Sequence, residues 1–138
     1  MRANVHASCV VCKRKGILIL GRPGSGKSDL SLRLIMEHGA SLVADDRVNL
    51  SAEKGKIKAA APTILAGLLE VRGVGIIRLP EKDSYLHLAV RLVDSRERIE
   101  RLPQWESYEF GGVKLPLIEL YPFEASAPSK ILAALTLL

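Results

Sequence analysis

The stretch Ile17-Leu18-Ile19-Leu20-Gly21-Arg22-Pro23-Gly24-Ser25-Gly26-Lys27-Ser28 constrains the fold of this chain more than any other. Its last eight residues satisfy every fixed position of G-x-x-x-x-G-K-[ST]. An apolar run that reads as a buried strand precedes them, and a segment from Asp29 to His38 that reads as a helix follows. Strand, loop and helix in that order are the context in which this pattern forms a phosphate cradle. Its glycines let backbone N–H groups converge on an anion, which also sits at the positive end of the helix. Gly21, Arg22, Pro23, Gly24, Ser25, Gly26, Lys27 and Ser28 are therefore the candidate nucleotide-binding residues. Lys27 is expected to reach the β- and γ-phosphates, and the Ser28 hydroxyl to hold Mg²⁺.

The rest of the chain reads as strands around that unit. Asn4 to Lys13 and Ile17 to Leu20 are expected as two strands joined by the basic turn Lys13-Arg14-Lys15-Gly16. Apolar residues at Leu30, Leu32, Leu34, Ile35 and Met36 predict a helix over 27–37, stopped at His38-Gly39. Strands are expected at Ser41–Ala44, Val48–Leu50, Lys56–Ala60, Gly73–Leu79, Tyr85–Val93 and Val113–Leu120, with Pro116 marking an edge or bulge. Leu65 to Val71 is ambiguous between strand and short helix. The charge-rich stretch Asp94 to Leu102 is expected as a solvated loop or helical turn. A final helix from Ala127 is apolar most of the way round and needs a packing partner. The sum is one α/β domain over 1–138 with a mixed sheet.

Composition narrows the function. The net charge is +5, but Lys13-Arg14-Lys15 is the only basic run and no aromatic interleaves with it, so nucleic acid is not an expected partner. No apolar stretch is long enough to span a membrane and no signal-peptide core opens the chain, so membrane insertion is not expected and the cytoplasm is the expected compartment. Cys9 and Cys12 form a lone C-x-x-C with no second ligand pair. On a strand their odd spacing sends them to opposite faces, which suits buried reduced thiols better than zinc.

Two further segments carry chemistry. Leu42-Val43-Ala44-Asp45-Asp46 is an apolar strand ending in adjacent carboxylates, with Asp45 falling 18 positions after Lys27 (45 minus 27), room for one helix and a return strand. Phosphoryl transfer needs a carboxylate near the metal and a base near the attacking group. If the strand continues, alternation turns only one of Asp45 and Asp46 toward the nucleotide. In Leu68-Leu69-Glu70-Val71-Arg72-Gly73-Val74-Gly75-Ile76, an acid and a base stand in an otherwise apolar, glycine-rich segment. Glu70 could serve the metal and Arg72 neutralise phosphate charge, or the two could form a plain ion pair.

Gly21 to Ser28, Ala44-Asp45-Asp46-Arg47-Val48, Ala60-Ala61-Pro62 and Leu68 to Ile77 stand in the order and spacing of the HPr kinase/phosphorylase catalytic domain, which this chain resembles from about Asn4 to Lys130. The resemblance implies a P-loop kinase domain with a carboxykinase-like nucleotide site. Its activity would be ATP- and Mg²⁺-dependent phosphorylation of a serine on HPr, the small phosphocarrier of the bacterial sugar phosphotransferase system. It implies Asp45 as general base, His6 beside Asp45 to orient it, Ser28 and Glu70 on Mg²⁺, Asp46 and Arg47 in support of the site and the incoming substrate loop, and Arg72 on the transferred phosphate. It also implies association into a homo-oligomer. The near-immediate start of the catalytic domain resembles the short form found in alphaproteobacteria, linked there to regulation, with a two-component sensor kinase as the second candidate partner. Val113 to Tyr121 passes directly to Pro122 and Phe123 without a basic loop, which implies reduced or absent phosphorolysis. A small-molecule kinase and a non-catalytic ATP-binding regulator are the alternatives.

Overall fold

A computed structural model describes residues 1–138. Eleven strands and two helices run in the order β1 (Arg2–His6), β2 (Ser8–Cys12), β3 (Lys15–Leu20), α1 (Lys27–His38), β4 (Ser41–Ala44), β5 (Arg47–Glu53), β6 (Lys56–Ala60), β7 (Leu68–Val71), β8 (Gly75–Arg78), β9 (Ser84–Leu92), β10 (Glu106–Phe110), β11 (Val113–Leu120) and α2 (Ala127–Leu135). Nine strands form one mixed sheet, β1-β5-β6-β9-β3-β2-β4, with β11 and then β10 added beside β9. β9 is the hub: it runs parallel to β3 and to β11, and its first residues pair with β6. β7 and β8 form a separate hairpin.

The centre of the sheet is buried on both faces, so β2 and β3 are continuous apolar runs, whereas β5 and β6 alternate between buried and more exposed residues. Alternation along β3 sends Ile17 and Ile19 into a core with Leu30 and Leu34 of α1 and Ile131 of α2. Leu18 points into a second core with Val43, Val48, Ile57 and Leu86. No helix contributes to that second core, so the sheet must curl to enclose it. The curl is visible in the topology. β1 and β4 end the sheet, yet β1 leads into β2, the neighbour of β4, and β4 leads into β5, the neighbour of β1. The two ends meet at Ala7 and Asp46, where Ala7 N–H donates to the Asp46 carbonyl at 3.2 Å.

The expected single strand over Asn4–Lys13 is therefore two, broken at Ala7 because the chain changes from one side of the closing sheet to the other. The ambiguous segment resolves into a 3-10 turn at Thr63–Leu65 followed by β7. β10 is an element the sequence reading passed over. Its signal was Gly111-Gly112, which form the two-residue turn to β11 with φ of 56° and 79°. Pro116 sits mid-strand opposite Ser107, before β11 begins pairing with β9 at Leu117, and so the missing N–H falls where the strand is still an edge. Cys9 and Cys12 lie in the second and first cores respectively, on opposite faces as expected. The Lys13-Arg14 turn adopts positive φ at both residues, as a tight two-residue hairpin requires. No helix is long and apolar enough to cross a membrane.

Candidate active site

The loop between β3 and α1 is shaped by its glycines. A Cβ on Gly21 would stand 2.3 Å from Ser25 Oγ and 3.1 Å from Ser25 Cβ, so any side chain there forces Ser25 to move. Gly26 adopts φ +103°, and a Cβ there would meet the Phe123 ring at 3.1 Å. α1 then presents Lys27, Leu30, Ser31 and Leu34 on its buried stripe. Lys27 is thus placed where its aliphatic stem packs and its ammonium turns back into the loop. Nζ donates to the carbonyls of Gly21 at 2.9 Å and Arg22 at 3.0 Å. Burial pushes the Lys27 pKa below the usual lysine value, while the charges of Asp46 and Asp45 oppose the shift.

The carboxylate pair sits at the seam where the sheet closes. Asp46 takes φ +69°, a left-handed conformation that costs an L-residue of order 1–3 kcal/mol and is often found at functional sites. This breaks the side-chain alternation, so the two acids part company. Asp45 is nearly buried, and its Oδ1 accepts hydrogen bonds from Ser8 Oγ at 2.8 Å and Ser28 Oγ at 2.7 Å. Asp46 lines the cavity beside the loop, and its Oδ1 lies 3.1 Å from His6 Nε2. His6 and Ser8 flank the break in β1–β2 at Ala7, and Asp45 and Asp46 form the matching break between β4 and β5. The His6–Asp46 and Ser8–Asp45 contacts therefore bridge the two breaks, between the register pairs His6–Arg47 and Cys9–Ala44. The resemblance implies His6 beside Asp45; in the structure the carboxylate within reach of the His6 ring is that of Asp46.

The cavity holds about 440 Å³ and includes Lys27, Ser28, His6, Asp46, Glu70 and Arg72 on its wall. Glu70 and Arg72 arrive on the β7–β8 hairpin, whose Leu69 is fully buried while Glu70 alternates outward. They form no ion pair with each other or with any other residue, so the plain Glu–Arg pair is not what the segment provides. Arg47 is exposed at the start of β5 opposite His6 and does not line the cavity. Sequence reading overlooked Ser8 and Phe123. Ser8 was detectable as a lone hydroxyl in an apolar run. Phe123, 59% exposed on the cavity rim, had no local signal.

The donor set suits a small hard cation. Ser28 offers a hydroxyl, Asp45 a carboxylate directly on that hydroxyl, and Glu70 a second carboxylate on the rim. Mg²⁺ favours such oxygen donors in small number, completing its shell with water and phosphate oxygens.

A phosphate-cradling loop with a buried lysine, a hydroxyl–carboxylate pair behind it and a second carboxylate facing the cavity defines a P-loop nucleotide domain on a mixed sheet. Residues 1–134 match a family described as the HPr Serine kinase C-terminal domain, and the chain belongs to that family. HPr kinase/phosphorylase of Mycoplasma mycoides subsp. mycoides is 32% identical over 131 residues, covering 86% of this chain and 42% of the relative. That of Streptococcus uberis is 38% identical with the same coverages. That of Clostridium tetani is 49% identical over 77 residues, covering 56% of this chain and 25% of the relative. The chain spans under half the length of these relatives. The solved structure of the Hpr(Ser) kinase/phosphatase from Coxiella burnetii superposes with a TM-score of 0.84 at 28% identity, over 97% of this chain and 94% of that one. The α/β P-loop fold expected from the sequence is thus borne out.

Proposed function

We propose that this domain transfers the γ-phosphoryl group of ATP to a seryl hydroxyl of the phosphocarrier HPr. The observation that carries the reading is the separation of the two acids: Asp45 held on Ser28, Asp46 open to the cavity with His6 behind it. The acceptor is suggested by the relatives, which are HPr kinase/phosphorylases.

Backbone N–H groups of the loop and the N-terminus of α1 would receive the β-phosphate, and Lys27 would exchange its two carbonyl partners for phosphate oxygens. Bound Mg²⁺ would neutralise charge developing on the phosphate oxygens. Ser28 and Glu70 would hold it, with Asp45 fixing the Ser28 hydroxyl. In this reading the base role falls to Asp46 rather than to Asp45, the residue that the resemblance implies. Asp45 already accepts two hydrogen bonds on one oxygen and is buried, whereas Asp46 faces open space where an acceptor serine could stand. Asp46 would take the seryl proton as the new O–P bond forms and the bond from phosphorus to the β–γ bridging oxygen breaks, releasing ADP. His6 would hold the Asp46 carboxylate in place. Arg72 would meet the transferred phosphoryl group from the hairpin. In the structure β11 runs straight into the turn before α2, which supports weak phosphorolysis if a basic loop there is what binds inorganic phosphate.

Incubation with radiolabelled ATP, Mg²⁺ and purified HPr tests the proposal. Label on serine, absent with Lys27→Ala, is the expected result. Tight ATP binding with no transfer to HPr would instead support a non-catalytic regulator.

A further inference from the structure

The phosphate end of the cavity is formed by the β3–α1 loop with Lys27 and Ser28, but a nucleoside needs a surface as well. We infer that Phe123 is the platform on which the base of the bound nucleotide stacks, an inference that rests on nucleotide binding as proposed.

Aromatic residues are scarce in this chain, with two phenylalanines in 138 residues. Phe110 is buried in the core, whereas Phe123 stands on the cavity rim with 59% of its surface exposed. Its ring edge lies over Gly26, the glycine that precedes the phosphate-binding lysine. Leu32, one turn beyond Ser28 on α1, also lines the cavity, so the α1 side of the cavity offers two apolar side chains. His6, Asp46, Glu70 and Arg72 come from other elements. Lys27 and Asp29 of α1 and Val71 of β7 also line the cavity, so beyond the charged groups around the phosphates a ligand would find Phe123 and Leu32 as an apolar shelf.

The ring is held where it is by its neighbours. Arg33 of α1 donates from Nη2 to the Pro122 carbonyl and from Nη1 to the Glu124 carbonyl, bracketing Phe123 on both sides. Asp29 fixes the Arg33 guanidinium at 3.1 Å. The Glu124 carboxylate pairs with Lys130 and, at 3.4 Å, with Arg96. Tyr121 packs edge-on against the ring, with centroids 5.8 Å apart. A ring ordered before ligand arrives loses little entropy on stacking, which makes it a good anchor. Stacking tolerates any base because every base has a π-face, so the platform should favour nucleosides over bare polyphosphate without selecting strongly among bases.

Calorimetric titration of Mg²⁺·ATP and Mg²⁺·tripolyphosphate into the wild type, Phe123→Ala and Phe123→Trp tests this. Phe123→Ala should weaken ATP binding by about ten-fold or more, the range of base–aromatic stacking. Tripolyphosphate affinity should stay within about two-fold, and Phe123→Trp should retain ATP. Unchanged ATP affinity in Phe123→Ala overturns the inference. Equal losses for both ligands also overturn it, since the ring would then only support the loop at Gly26. A wild type that binds neither ligand removes the nucleotide reading itself, and the inference with it. Tripolyphosphate binding by the alanine variant doubles as the control that its loop has folded.

Discussion

His6 and Asp46 meet across the line where the sheet closes on itself, Nε2 to Oδ1 at 3.1 Å. The two are 40 positions apart in sequence, His6 at the edge of one strand break and Asp46 within the other. The pair exists because β1–β2 and β4–β5 kink at the same level, one at Ala7 and the other at the left-handed Asp46. The site is built on the seam of the fold.

The two carboxylates should fail in different ways. Asp46→Asn is expected to lower phosphoryl transfer to HPr by about 10²–10⁴-fold, the usual contribution of a general base, while Mg²⁺·ATP binding persists. Asp45→Asn should weaken Mg²⁺-dependent ATP binding itself. Combined with Asp46→Asn, His6→Ala should add little further loss, because residues acting as a unit are not additive. Single-turnover assays beside ATP titrations separate these outcomes. Loss of transfer in Asp45→Asn alone, with Asp46→Asn active, would return the base role to Asp45.

Lys27 predicts a pH effect on stability. Burial lowers its pKa from 10.5, so between the lowered value and 10.5 the unfolded chain binds more protons than the folded one. Stability contributed through this group therefore rises with pH in that window. Urea melts of wild type and Lys27→Met at a series of alkaline pH values should show the difference moving in favour of the wild type as pH rises. A flat difference would mean that Lys27 is not desolvated.

Gly21 is required by the Oγ of Ser25 rather than by its own dihedral angles. Gly21→Ala should weaken ATP binding at least ten-fold, a displacement cost of about 1.4 kcal/mol or more. Adding Ser25→Gly, which removes the atom 2.3 Å from the new Cβ, should recover part of that loss in the same titration. No recovery would show that the clash with Leu92, at 3.3 Å, dominates.

The two thiols should be silent. Cys9 is fully buried and burial pushes its pKa far above the ordinary thiol range, and Cys12 is buried in the opposite core. Native protein should react with a thiol reagent at neither cysteine, and denatured protein at both. Bound zinc, or a Cys9–Cys12 disulfide in native protein, would contradict the placement of the thiols on separate faces.

Much of this was readable along the chain. The phosphate loop and α1 are local: one motif, one helical stripe and one glycine stop at Gly39, whose φ of 72° ends the helix after His38. Glu70 and Arg72 were readable as charges without a solubility role. The partner of His6 was not readable, because adjacent acids cannot be told apart until the backbone angle of Asp46 is known. β10 was half legible, since Glu106 to Phe110 is weakly patterned and only its Gly111-Gly112 turn announces a hairpin.

The sequence alone determined the pieces whose causes lie within a few residues: the anion loop, the helix behind it, the strand periods and the opposite-facing thiols. Only the tertiary structure decided which acid sits on Ser28 and which faces the cavity, and that Phe123 leans over Gly26 from nearly a hundred positions away (123 minus 26 is 97). The reason is physical. Local spacing sets backbone hydrogen bonding and side-chain direction, but the closing of a curled sheet is a long-range packing event that aligns breaks in strands far apart in the chain.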